Sequence, residues 1–395
     1  MVNTYRREFC RWVLLLTVGV VLAALTPNPA APQAERWTLG RSVVIGDAMD
    51  EERGLTRVGS VAVAGGRLYV DQPQESRIRV FTDEGEFVGF IGRRGEGPGE
   101  FRSLGKIGAR EDAVWAADRQ RLTYFDADYE YASSLTVRMQ PSMPGARFTR
   151  LAGLADGSLL MGESFAEPWA SSGEFRSEHI FRLDGEGVLR DTVATWERVP
   201  SSAEIKDGIR PRIRSYVILP VRDASLWNMP SDGSGFVLVH RRSATRGGLH
   251  TYRVIRFDLN ADTIFARQFS YEPIPISDAF LAREVDEFTE DGEDSFTADL
   301  GEYRRALREA FGRLDFFPPV ERIHAGADET TWLELRIGEE EFEWEVLDGA
   351  GEPLGRFQTP EGARLVAGDL DGAWFVEEDE LDIPYIVRYD FVRPD

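Results

Sequence analysis

One short pattern recurs six times along this chain and constrains its fold more than any other feature. An apolar residue opens it, a large apolar residue closes it, and an Asp usually follows. The copies are Ile78–Thr82, Leu122–Asp126, Ile180–Asp184, Val254–Asp258, Trp344–Asp348 and Ile386–Asp390. Each reads as a strand running into a turn that an Asp side chain can initiate by bonding its own backbone. A turn followed by a β-branched or aromatic strand precedes every copy: Gly66–Asp71, Asp112–Asp118, Gly157–Glu163, Gly235–His240, Thr330–Arg336 and Gly372–Glu377. A third apolar segment sits before each of these, at Val61–Val63, Ile107, Leu151–Leu154, Leu226–Met229, Ile323 and Leu365–Ala367. Six strand clusters that cannot bury both faces alone must pack on one another, and radial packing does so. The expected fold class is all-β, a six-bladed β-propeller.

The stretch Ile78–Phe101 shows one unit in full. Two strands joined by Asp83–Gly85 lead into Gly92, Gly95, Gly97, Pro98 and Gly99, and then Phe101. So many glycines with a proline exclude a helix and call for a compact crossover. The run resembles the NHL-type repeat of β-propellers, whose blades end in Gly-x-x-Gly-x-Gly-Pro-Gly-x-Phe. The resemblance implies a bacterial, extracytoplasmic six-bladed propeller and says little about activity. A phosphate cradle is the competing reading of this loop, but no Gly-Lys-Ser/Thr follows and Glu96 lies within it.

Unit spacing locates the insertions. Large intervals separate Leu183 from Phe257 and Phe257 from Leu347. In the second, about 277–317, Leu300, Tyr303, Leu307 and Phe311 share one helical face with Gly312 as a C-cap, and Ser277 precedes a shorter helix. This places a helical insertion between blades 4 and 5. The first interval carries a basic, extended segment around Ile209–Arg214. The sixth unit is short: six residues after Tyr389 leave no room for a turn and a fourth strand. An open blade would expose unpaired backbone. The expectation is therefore that Trp37–Ile45 closes the ring, with Trp37, Leu39, Val43 and Ile45 on one face and Arg41 as the exception.

Residues 1–34 read as a signal peptide or an N-terminal anchor. Arg6, Arg7 and Arg11 precede the apolar run Val13–Thr26, and a Pro/Ala-rich tail follows. Arg6-Arg7 also resembles a twin-arginine export motif. Residues 35–395 then form the propeller, exported to the periplasm or outside the cell, with the membrane touched only through a retained anchor. The single cysteine, Cys10, lies in the leader, so the propeller has neither disulfide nor thiol chemistry. A net charge of −22 opposes binding to nucleic acid.

Against that acidic background the distinctive polar feature is basic. Arg210, Arg212 and Arg214 form one group in the first insertion; Arg241 and Arg242, with Arg246 close by, form another. Arginine matches carboxylate and phosphate bidentately, so these are the candidate ligand-binding residues, with ion pairing to the abundant Asp and Glu as the structural alternative. His179, His240, His250 and His324 show no zinc-ligand spacing, the acidic runs do not fit a calcium loop, and Gly-x-Ser-x-Gly is absent. No cofactor and no catalytic residue is expected. The reading is an exported, non-catalytic scaffold recognising a protein, peptide or glycan. A metal-dependent hydrolase of the lactonase-like six-bladed type is the alternative. That alternative needs metal ligands converging from inner strands, and those strands look apolar or small.

Overall fold

The computed structural model describes residues 34–110, 113–137, 147–164, 177–197, 199, 202–205, 215–245, 247–290 and 300–394. Six antiparallel sheets form the blades. Blade 1 contains Val61–Ala64, Arg67–Gln72, Arg77–Thr82 and Phe87–Ile91 in that order from the centre outward. Blades 2, 3, 4 and 5 repeat this order, opening with Leu104–Arg110, Arg147–Gly153, Leu226–Asn228 and Val320–Ala325. Blade 6 has Arg364–Gly368, Gly372–Glu378 and Pro384–Val392. All six recurring patterns form third strands, and the segments before them form the second and first strands.

The recurring Asp works as its position implies. Asp126 Oδ1 accepts the N–H groups of Asp128 and Glu130, both at 3.0 Å, and Asp348 Oδ1 those of Ala350 and Glu352, both at 2.8 Å. Asp184 and Asp258 make the same pair of bonds. Each turn then needs a left-handed residue three positions on. Gly187 and Gly351 supply it in two cases, and Tyr129 and Ala261 supply it at some strain in the others.

The core lies between blades. Tyr69, Val80 and Ile91 of blade 1 pack on Ile107, Val114 and Phe125 of blade 2. Val237, Val239 and Val254 of blade 4 meet Val320, Leu333 and Leu347 of blade 5. Each sheet thus buries both faces, which accounts for second strands such as RLYVDQ and GFVLVH being almost wholly buried.

The ring closes as expected. Thr38–Ile45 is the outermost strand of blade 6, antiparallel to Pro384–Val392, with Thr38 opposite Val392 and Ile45 opposite Ile386. The expectation of one shared apolar face is corrected. The register shifts between Arg41 and Val43, and a single extra residue reverses the alternation. Trp37 and Leu39 therefore pack with Trp332, Phe357 and Phe375 between blades 5 and 6, whereas Val43 and Ile45 pack with Phe81, Trp374 and Ile386 between blades 6 and 1. Arg41 lies on the first of these faces, 3.9 Å from the Glu377 carboxylate. Glu35–Arg36 also pairs with the outer strand Pro353–Phe357 of blade 5. A Cβ on Gly355 would fall 2.0 Å from the Trp37 ring, so this indole needs a glycine beneath it.

Two helices, α1 (Asp278–Glu290) and α2 (Leu300–Phe311), lie between blades 4 and 5. Ser277 caps α1 through a 3.0 Å bond from the Phe280 N–H. Gly312 does not act as a left-handed cap: its N–H still bonds the Arg308 carbonyl, and its φ is not positive. The other insertion contains the hairpin Ser202–Ile205 and Ser215–Ile218. Val217 and Leu219 pack on Val285, Tyr303, Leu307 and Phe311, so the two insertions share one small core.

Candidate functional site

The first strands of the blades surround a central channel with a cavity of about 830 Å³. That volume suits a small ligand. Connections from a fourth strand to the next first strand all lie at one end of the channel, because strands alternate in direction. Both insertions and the Gly-rich crossover occupy that end.

Titratable groups on this wall come from four blades. Lys106 enters from blade 2, Arg322 and His324 from blade 5, Arg364 and Asp369 from blade 6 and Asp71 from blade 1. Lys106 Nζ donates to the Met229 carbonyl at 3.2 Å. Arg322 Nε lies 3.1 Å from the buried Glu334 carboxylate. Burial pushes Glu334 up, and Arg322 offsets part of that rise. Arg364 donates to the Val58 carbonyl at 2.9 Å. Burial lowers the Arg364 pKa and the like charge of Arg322 lowers it further, while Glu378 acts the other way. Desolvation, with Lys106 adding to it, takes the His324 imidazole down to about 4, so this ring is neutral near pH 7. Its ring stands edge-on to Trp332.

Asp71 differs from these. It is the penultimate residue of the second strand of blade 1 and is 2% exposed. Its Oδ2 accepts the Ser60 N–H at 3.4 Å, and its Oδ1 has no partner. Burial lifts the carboxyl to about 7 against the Ser60 bonds. By contrast Asp118, which ends the second strand of blade 2, accepts the N–H groups of Arg102 and Ser103 at 2.9 and 3.1 Å and the Arg121 guanidinium at 3.0 Å.

The Gly-rich crossover is filled by its own chain. Glu100 accepts the N–H groups of Glu96 and Gly97 at 3.0 and 2.9 Å and the Arg93 Nε–H at 2.8 Å. The Gly97 bond and then Arg93 hold this carboxylate below its usual range. Amides that could cradle a phosphate are thus already bonded to a carboxylate. Gly92 is obligatory: its φ is +70°, and a Cβ there would lie 2.2 Å from the Phe101 ring.

The arginines singled out from the sequence are not gathered at the channel. Arg210, Arg212 and Arg214 lie outside the described residues. Arg241 is 6% exposed and spans blades 4 and 5, donating to the Ala224 carbonyl at 2.8 Å and to the Val320 carbonyl. Burial brings its pKa down to about 10. Its guanidinium serves the fold. Arg242 faces solvent and pairs with the equally exposed Glu197. Arg241→Ala is therefore expected to destabilise the protein by about 2–4 kcal/mol, since two buried carbonyls lose their donor. Arg242→Ala is expected to cost about 0–1 kcal/mol. Parallel denaturant titrations of the two variants check this contrast, and equal losses would refute it.

The histidines are also dispersed. His179 Nδ1 bonds Thr195 Oγ1 and His240 Nδ1 bonds Ser225 Oγ, each at 3.0 Å. Among the described residues no three His, Cys, Asp or Glu side chains come together as a metal site. Sequence reasoning passed over Lys106, Arg322, Arg364 and Asp71. The available signal was a basic residue inside or at the start of a first strand, beside the apolar Ile107, Ile323 and Leu365 that were used to find those strands.

A family model described as a six-bladed beta-propeller matches residues 50–147, which contain blades 1 and 2. No curated protein matches the chain. Among solved structures, a Bacteroides fragilis protein described as exported is 13% identical, with a TM-score of 0.50 over 92% of this chain and 98% of that one. A Bacteroides vulgatus member of the DUF4221 family is 11% identical, with a TM-score of 0.48 over 92% and 100% of the two chains. At 13% identity the first of these likenesses shows the fold alone. The chain is a six-bladed β-propeller with helices inserted between blades 4 and 5.

Proposed function

We propose that this protein is an exported, non-catalytic binding propeller that takes an anionic ligand at the channel mouth flanked by its two insertions. One observation carries the reading. In a chain of net charge −22, the channel wall presents Lys106, Arg322 and Arg364 against two carboxyls, Asp71 and Asp369, that burial pushes up toward their neutral form. An acidic exterior with a cationic, low-dielectric cleft concentrates field lines and draws an anion inward. Arginine adds the fork geometry that a carboxylate matches. The kinship to NHL repeats belongs to this proposal and rests on Gly92–Phe101. Export belongs to it as well and rests on the Arg-flanked apolar run before residue 35; among the described residues no helix is long and apolar enough to cross a membrane. The hydrolase alternative has no converging donor set among the described residues to support it.

The test has two parts. A folded reporter fused after Trp37 is expected in the extracytoplasmic fraction, and retention in the cytoplasm removes export. In calorimetry at low salt, N-acetyl-trialanine, which carries one carboxylate, is expected to bind at least tenfold more tightly than its neutral amide. The double variant Arg322→Gln/Arg364→Gln is expected to lose that preference. Equal affinity for the charged and neutral probes would overturn the anion-binding reading.

A further inference from the structure

The outermost strand of blade 2, Tyr131–Thr136, is unlike the other outer strands. None of its residues is buried, and it carries no charge, no glycine and no proline. Elsewhere the outer edges are guarded. Leu189–Glu197 of blade 3 carries Arg190, Asp191 and Glu197. Thr263–Ser270 of blade 4 carries Arg267, and the closing strand of blade 6 carries Arg41. The edge of blade 5 is covered by Glu35–Arg36. The uncharged outer strand of blade 1 is interrupted by Gly89, and Arg77 and Arg79 stack over its Phe90 ring. Charges and added strands are the usual means by which an edge avoids pairing with another molecule, and Tyr131–Thr136 has neither. The one register shift in its pairing falls at its start, between Tyr131 and Ser133, and leaves Ser133–Thr136 regular.

The direction of its free backbone groups follows from the ladder. The Val137 N–H bonds the Gln120 carbonyl at 2.8 Å, so alternation turns the N–H and C=O of Leu135 and Ser133 inward and those of Thr136 and Ser134 outward. No described strand pairs with that side. Ala132, Ser133 and Ser134 are small and exposed, which lets a second backbone come close. The charges at the two ends are opposite. Asp126, Asp128 and Glu130 lead into the strand and are exposed, and Arg119 is exposed beside its far end, next to Gln120. Among the described residues the side chains of Asp128, Glu130 and Arg119 form no ion pair. An antiparallel copy reverses the order of the ends, so this edge is complementary to itself.

The geometry points to a second copy of this chain as the occupant of that edge. Two molecules pair Tyr131–Thr136 antiparallel about a two-fold axis at Ser134 and join their blade 2 sheets into one, with Asp128 and Glu130 of each copy facing Arg119 of the other. Glu35–Arg36 on blade 5 already shows that an outer strand of this propeller accepts an added one. At physiological salt the net charge of each copy is screened beyond about 8 Å, whereas the end pairs meet at closer range. The inference lies outside the channel and does not depend on the anion-binding reading.

Sedimentation velocity of the purified protein at increasing concentration tests it. A monomer–dimer equilibrium in the micromolar range, with no larger species, is expected. Ser134→Lys sets two ammonium groups against each other at the axis and is expected to weaken dimerisation at least tenfold. Its melting in dilute solution is expected to match the parent, because the Ser134 N–H is not used inside the blade. Arg119→Glu is expected to weaken dimerisation to a similar degree, and adding Asp128→Arg and Glu130→Arg to it is expected to restore the parent affinity. A protein that sediments as a monomer at every concentration would overturn the inference. A dimer that Ser134→Lys leaves intact would overturn it too, since association would then use another face. If the combined charge reversal does not recover what Arg119→Glu loses, the antiparallel arrangement of the ends is wrong.

Discussion

Deleting residues 35–46 is expected to abolish cooperative melting and to yield a self-associating protein. The segment supplies the fourth strand of blade 6 and a two-residue extension on blade 5. Trp37 and Ile45 are 4% and 0% exposed. Full burial of such side chains is worth roughly 1.5–3 kcal/mol each, as an upper estimate, before Leu39, Val43 and the backbone bonds are counted. That sum approaches the roughly 5–15 kcal/mol net stability of a typical domain. Deletion also uncovers the long edge of Pro384–Val392, a template for pairing with a second molecule. Size exclusion with scanning calorimetry reads both effects. A monomer melting like the intact chain would refute the role given to the strand. The single change Trp37→Ala isolates the indole and is expected to cost about 3–5 kcal/mol.

The second large effect concerns Asp71 and pH. An ordinary Asp releases its proton near pH 4, whereas burial holds this carboxyl to about 7. Between those values the folded protein keeps a proton that the unfolded chain has lost. Stability from this group therefore falls as pH rises through that window, by up to about 4 kcal/mol above pH 7. Below about pH 4 both states are protonated and the difference vanishes. Asp71→Asn removes the titration, so the variant is expected to be more stable than the parent at pH 8, by up to a few kcal/mol. The gap is expected to shrink to under about 1 kcal/mol at pH 4.5. Urea midpoints at the two pH values measure it. An effect of the same size at both, or a variant weaker at pH 8, would contradict the shifted carboxyl.

Blade number, blade order and the closing strand were legible because each leaves a mark in residue type. Asp126, Asp184, Asp258 and Asp348 mark the turns through a side chain that bonds its own backbone. Asp390 has no such turn to make, and its Oδ1 accepts from Arg388 instead. The bulge between Arg41 and Val43 left no such mark. It is a backbone event, and it sends one half of an apparently uniform apolar stripe into a different interface from the other half. The two adjacent arginines 241 and 242 mislead for a related reason: at the end of a strand, neighbours point to opposite sides, so one is buried among carbonyls and the other is solvated. The channel residues were the least legible. Whether Lys106, Arg322 or Arg364 meets the central space or an adjacent sheet depends on how six blades are inclined around the axis, and no local pattern encodes that angle.

The way the ring closes also sets how the protein answers a mechanical load. Thr38 and Val392 face each other across the closing pair, so the outer ends of the two strands lie side by side. A pull on those ends cannot load all the rungs of the ladder together, as it would if the strands were drawn past one another lengthwise. The force falls on the outermost rung and then on the next, and the pair opens in the manner of a zip. Arg36 on Glu343 and the Trp37 indole beneath the blade 5 edge are the catch at its end. Once that catch yields, tension runs inward along blade 6 toward Ile45. A molecule held at both ends would therefore fail first at its seam, at forces well below those needed to tear any interior blade.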